Sequence, residues 1–187
     1  MDGPRRQGRE GRVLRLRFSS RGIRLSSVSC APPRPLNGLM LFHGGELAAV
    51  LRASGPDFDV DAFVADCRWN IAKVFHRGEA LLPKTRPEGR KRQESGLNAS
   101  VSKAGLHQFA EQVEDAVNFL TESMAEVQRL VAFPGVTGVV LDFGIAFRDV
   151  VAQSDQFSSE LVRLAGAAGV ALELSLYPVS DGDAAAG

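Results

Sequence analysis

The sequence predicts an α+β fold: a ferredoxin-like βαββαβ unit extended by a C-terminal α-β pair, with a mixed or antiparallel sheet and helices packed on one face. Three observations predict it. Apolar patterns of period two and period 3.6 succeed one another between residues 46 and 177 in the order β-α-β-β-α-β-α-β. Each clear strand has one large apolar face, while the opposite face carries Asp142, Gly144, Glu173, Ser175 or Tyr177. Gly, Pro and polar clusters fall between the patterns.

The first strand is read over Glu46 to Ala53, with Leu47, Ala49, Leu51 and Ala53 alternating and Ser54-Gly55-Pro56 ending it. Asp59 is placed to cap a helix, Asp61 stands in its first turn, and Phe58 with Phe63 can form a hydrophobic staple. Val60, Phe63, Val64 and Cys67 give that helix its apolar stripe, which makes Cys67 a small buried hydrophobe. Ala72 to His76 is a short strand, and Arg77 to Gln93 is a polar loop or hairpin. Leu97, Ala99 and Val101 alternate as a third strand.

Leu106, Phe109, Val113, Ala116, Val117 and Leu120 begin a long helical stripe that continues to Val131. Ser123 with Glu126 offers an internal capping box, so the stripe is expected to break near Thr121. Val139, Leu141, Phe143, Ile145 and Phe147 share the apolar face of the strongest strand. Phe157, Leu161, Leu164, Ala165 and Ala168 make the last helix stripe, with Gly169 ending it. Val170 to Leu176 is the closing strand.

Charge divides the chain. Residues 1–39 hold nine Arg, one Asp and one Glu, a formal +7. Residues 40–187 hold thirteen Lys and Arg against twenty Asp and Glu, a formal −7. The expected organisation is a basic, disordered leader over 1–39, a single domain over 40–179 and a flexible tail over 180–187. Met40 is the expected native start; an organellar transit peptide and a nucleic-acid-binding arm are the other readings of the leader. The two cysteines, Cys30 and Cys67, have no metal-type spacing and suit a reducing cytoplasm. No run of 18 apolar residues suggests a membrane span.

No catalytic constellation emerges. His43, His76 and His107 lie apart, Gly44-Gly45 lacks a phosphate-loop pattern, and no GxSxG elbow is present. No cofactor or metal is expected. Asp142 and Glu173 can sit on neighbouring strands, where a carboxylate pair could do acid–base work, although a solvent-facing pair is the ordinary explanation. Arg77, Lys84, Arg86, Arg90, Lys91 and Arg92 make one basic cluster, diluted by Glu79 and Glu88. Glu111, Glu114, Asp115, Glu122 and Glu126 give the long helix an acidic outer face, with Arg129 its first base.

Four landmarks carry a family resemblance: Ser54-Gly55 followed by Asp57-Phe58-Asp59, His76-Arg77-Gly78-Glu79, Ser95-Gly96, and the closing run Ala171 to Tyr177. In this order and spacing the chain resembles the bacterial domain of unknown function 4279 over residues 46–178. Leu97 departs from that pattern, which often has an aromatic residue there. The resemblance implies a compact bacterial domain and no particular activity.

The expected function is therefore non-enzymatic binding in the cytoplasm. The partner is a basic protein, met by the acidic helix or the open sheet face, or a small ligand; an immunity-protein-like role is the analogous specific case. A homodimer through the sheet face is a further form. The alternative is an ACT-like regulatory module binding a small molecule at Ser54-Gly55-Pro56-Asp57. The binding candidates are Ser54, Gly55, Asp57, His76, Arg77, Glu79, Asp142, Glu173 and Tyr177. Nucleic acid, membrane and enzyme roles rank below these.

Overall fold

The computed structural model describes residues 15–18, 49–82 and 85–178. In chain order the elements are β1 (Arg15–Phe18), β2 (Ala49–Gly55), α1 (Val60–Ala65), β3 (Ile71–Phe75), β4 (Ala80–Leu82), β5 (Arg86–Lys91), β6 (Ser95–Ser102), α2 (Phe109–Val131), β7 (Gly138–Ala146), α3 (Ser159–Ala168) and β8 (Ala171–Tyr177). The main sheet has the order β1-β8-β7-β2-β6-β3, and β4 and β5 pair as a separate two-stranded ribbon.

The expected α+β class is present. Within the sheet, β2-α1-β3-β6-α2-β7 is a ferredoxin-like unit whose four neighbouring strands are all antiparallel. The added α3-β8 pair then lays β8 parallel to β7, in register from Val140↔Ala171 to Ala146↔Tyr177. All three helices contact the same apolar side of the sheet.

Several elements differ from expectation. Residues 15–18, inside the supposedly disordered leader, form a strand antiparallel to β8, with Arg17 in register with Glu173. Met40, Glu46 to Ala48 and the tail over 180–187 lie outside the described residues. The first described core strand runs on through Ser54 and Gly55. Helix α1 is only six residues long, so Cys67 falls beyond it and is half-buried. Helix α2 does not break near Thr121. There the hydroxyl donates to Val117 O at 2.7 Å and stays within the helix. Phe157 precedes α3, yet it still packs on Phe109 and Phe143, with ring centroids 5.3 and 5.0 Å away.

Local chemistry sets the helix ends. Asp59 accepts from Ala62 N at 3.1 Å, and Ser158 accepts from Leu161 N at 3.2 Å, so both helices satisfy an otherwise orphaned donor. Gly169 ends α3 at φ 76°, a left-handed conformation that costs glycine nothing. Gly135 has φ 83°, and a Cβ there would collide with Asp57 O. The turn before β7 can therefore pack tightly on the turn before α1.

The core lies between the sheet and α2, with Leu51, Leu97, Leu120, Leu130, Leu141 and Phe143 fully buried. Gln112, also fully buried, donates to Gly105 O and Gly144 O at 2.9 and 3.0 Å, fixing α2 along its axis against β7. Leu120→Ala should lower unfolding stability by about 2–5 kcal/mol through lost burial and a residual cavity. Glu122→Ala, on the exposed face of the same helix, should change it by less than about 0.5 kcal/mol. Urea denaturation of both variants checks the pair.

Candidate functional site

Charged side chains collect at three places, each set by the sheet. The first is the sheet face opposite the helices. Asp142 and Glu173 stand in register on the parallel strands β7 and β8, as their sequence positions suggested. They are not solvent-facing: Asp142 is 6% exposed and Glu173 is fully buried. Arg52 on β2 spans both, with Nη1 3.3 Å from Asp142 Oδ2 and Nη2 3.0 Å from Glu173 Oε2. Ser175 Oγ donates to Asp142 Oδ1 at 2.8 Å. Both carboxylates, and Tyr177, make further interactions beyond these. Tyr177 also accepts Phe147 N through its backbone oxygen at 2.7 Å, closing the end of β8.

An arginine bridging two buried carboxylates fixes their positions on the sheet. That is a structural arrangement first, because neither carboxylate is left facing an open cleft as an acid and a base would be. Arg52 was missed in the sequence because a single Arg on a strand reads as an outward residue. Its signal was its place opposite Leu51 and Ala53 in the alternation of a central strand. Arg52→Ala should cost about 2 kcal/mol, less than the full loss of a buried pair because its side chain is 30% exposed. Thermal or urea unfolding checks this value.

The second place is the end of the sheet where β2 stops and β3 turns. Ser54 and Gly55 end β2, Asp57 lies on the β2–α1 connection, and His76, Arg77 and Glu79 lie on the turn between β3 and β4. The structure brings the two groups together: Arg77 Nη1 is 3.8 Å from Asp57 Oδ1 and donates to Pro56 O at 3.4 Å. Ser54 Oγ donates to Glu94 Oε2 at 2.7 Å. A Cβ on Gly55 would collide with Gly135 O, so the Ser54-Gly55 end of β2 is already packed by protein.

His76 sits between two carboxylates, with Nε2 3.0 Å from Asp61 Oδ2 and Nδ1 3.0 Å from Glu79 Oε1. Hydrogen bonding to Glu79, then to Asp61, raises the His76 pKa above its ordinary value. Glu79 is held below the usual carboxylate range, first by the His76 backbone N–H and then by the ring. Nearby, burial pushes the Lys73 pKa down, assisted by the Arg92 charge. Burial likewise pushes the Cys67 thiol up, which leaves it a poor nucleophile.

The third place is the connection from β7 to α3, which the sequence reading did not single out. Phe147 was expected on the apolar face of β7, but it lies past the strand and is 51% exposed. Val150 and Val151 are exposed too, Val151 completely. This loop is nonetheless tied down. Arg148 Nη2 meets both oxygens of Asp155 at 2.8 Å, and Gln153 donates to Ala146 O at 3.1 Å. Ala146 N donates to Leu106 O at 2.9 Å, so the loop leaves the sheet beside the start of α2. His107 and Phe109 line a shallow hollow there with Arg148 and Asp155. The available signal was length: a run of about a dozen residues without period between two strong elements is often functional.

Glu111, Glu114 and Glu122 face outward from α2, and Arg129 pairs only at the far end, with Glu126 at 3.0 Å. Asp115 instead accepts from Ser102 Oγ at 2.5 Å. His43 and Lys84 lie outside the described residues. Among the described residues no cluster of three His, Cys, Asp or Glu side chains could hold a metal ion. Among the same residues no helix is long and apolar enough to cross a membrane. In comparisons with known proteins, the chain matches no family, no curated protein and no solved structure.

Proposed function

We propose that this chain is a non-enzymatic cytoplasmic domain that binds a basic protein partner through the β7–α3 loop and the adjoining acidic face of α2. The observation that carries this reading is the display of Phe147, Val150 and Val151 on a loop held in place by Arg148, Gln153 and Asp155. Exposed apolar side chains on a tethered loop supply an anchor at little ordering cost. The outward carboxylates of Glu111 and Glu114 supply the charged rim that steers a basic partner and makes binding salt-sensitive. Kinship with the bacterial domain of unknown function 4279, and an immunity-like role, belong to the same reading. The packing of Gly55 on Gly135 does not favour a small ligand seated at the Ser54-Gly55 end of β2.

A photo-crosslinking residue at Val151, introduced in the cells that make the protein, tests the proposal. The expected result is a discrete adduct with a protein of net positive charge. Its yield should fall on the order of tenfold at high salt or in a Glu111→Lys/Glu114→Lys variant. Absence of an adduct, or equal labelling from a probe at exposed Arg68, overturns it.

A further inference from the structure

We propose that His76 is a pH-sensitive latch that fastens helix α1 to the base of the β4–β5 ribbon. The argument begins with the two ring nitrogens. Each lies 3.0 Å from a carboxylate oxygen, Nε2 from Asp61 on α1 and Nδ1 from Glu79 in the turn. An ionised carboxylate only accepts hydrogen bonds, so both nitrogens must carry a proton. Only the imidazolium form does so. A neutral ring would turn a lone pair on one nitrogen toward an anion, and one of the two bonds would be lost.

The latch has something to hold. The ribbon formed by β4 and β5 is a separate sheet that shares no strand pairing with the main one. At its base, Gly78 N donates to Arg92 O, and Arg92 N donates to Glu79 O, at 3.0 and 2.8 Å. Glu79 therefore meets both the ribbon and His76, whose backbone N–H also donates to Glu79 Oε2 at 3.0 Å. Losing the ring proton breaks the link to α1 or the link to Glu79, so the ring no longer fastens α1 to the turn at the base of the ribbon.

The surrounding charges are few and identifiable. Asp61 faces the ring from α1, and Glu79 faces it from the turn. Arg77 is engaged by Asp57 and Pro56 O on the β2–α1 connection. Arg92, stacked 4.4 Å over the Phe75 ring, and Lys73 act on Glu79. Among these side-chain types only histidine has an ordinary value near neutrality, so His76 is the group that responds there. The sign follows from the raised folded-state value. The latch is fully closed below about pH 6.5, the ordinary histidine value, and opens as pH rises through the higher value of the folded protein. The ring is accessible to solvent, so salt weakens the effect.

Nuclear magnetic resonance of the full chain tests this directly. In low salt, the His76 ring should titrate above about 6.5, and its spectra below that midpoint should show protons on both nitrogens. Asp61→Asn and Glu79→Gln should each lower the midpoint, and the double variant should return it to the ordinary value. Amide signals of residues 76–79 and of Asp61 should move with the same midpoint in the wild type and lose that transition in His76→Gln. The stability difference between wild type and His76→Gln should be present near about pH 5 and lost by about pH 9. A folded-state midpoint at or below about 6.5, or a stability difference that is flat with pH, overturns the proposal.

Discussion

Two carboxylates buried side by side set the terms for this sheet. Asp142 and Glu173 are adjacent on parallel strands, and an uncompensated pair there would repel and pay a large desolvation cost. Arg52 resolves the conflict by reaching both from β2. The solution works only if β2, β7 and β8 lie side by side in this order and register. Slipping any one strand by a single residue would turn the charged side chain into the apolar core. The polar cluster thus ties the ferredoxin-like unit to the added α3-β8 pair, and the pairing of β1 with β8 extends that sheet further.

The opposite face is governed by close packing rather than charge. Helix α2 lays Val113, Ala116, Leu120, Val127 and Leu130 on the sheet, while Gln112 pins it to Gly144. Aromatic rings gather at both ends of the layer. Phe58, Phe63 and Phe133 meet edge to face near α1, and Phe109, Phe143 and Phe157 meet near the start of α2. The second cluster seats the β7–α3 loop, which helps explain how a loop with three exposed apolar residues keeps a defined course. The structural core and the proposed binding surface therefore share the same ring contacts.

Much of the fold was legible because its signals are local. The Asp59 cap, the α2 stripe, the Gly169 stop and the β7 alternation each depend on neighbours a few residues away. The misses occurred where a long-range contact outweighed a local signal. Ser123 and Glu126 could cap a helix, yet burial of Val127 and Leu130 beyond them holds α2 continuous. Residues 15–18 have too little apolar surface to order by themselves, yet the edge of β8 offers them a backbone template. The exposure of Phe147 depends on where β7 stops, and alternation alone does not mark that point.

The candidate site divides along the same line. Sequence alone determined the α+β class, the order of the main-sheet elements from β2 to β8, the acidic outer face of α2 and the strand positions that bring Asp142 level with Glu173. Those follow from periodicity and charge spacing, which are properties of neighbouring residues. Tertiary structure alone decided that the two carboxylates are buried and held by Arg52, that His76 lies between Asp61 and Glu79, and that Arg148 closes on Asp155 around an apolar loop. Each rests on close contacts between charged or titratable groups, and Arg52 with its carboxylates and His76 with Asp61 join separate elements of the fold. Such pairs are made by distance and direction in space, and residue spacing along the chain encodes neither.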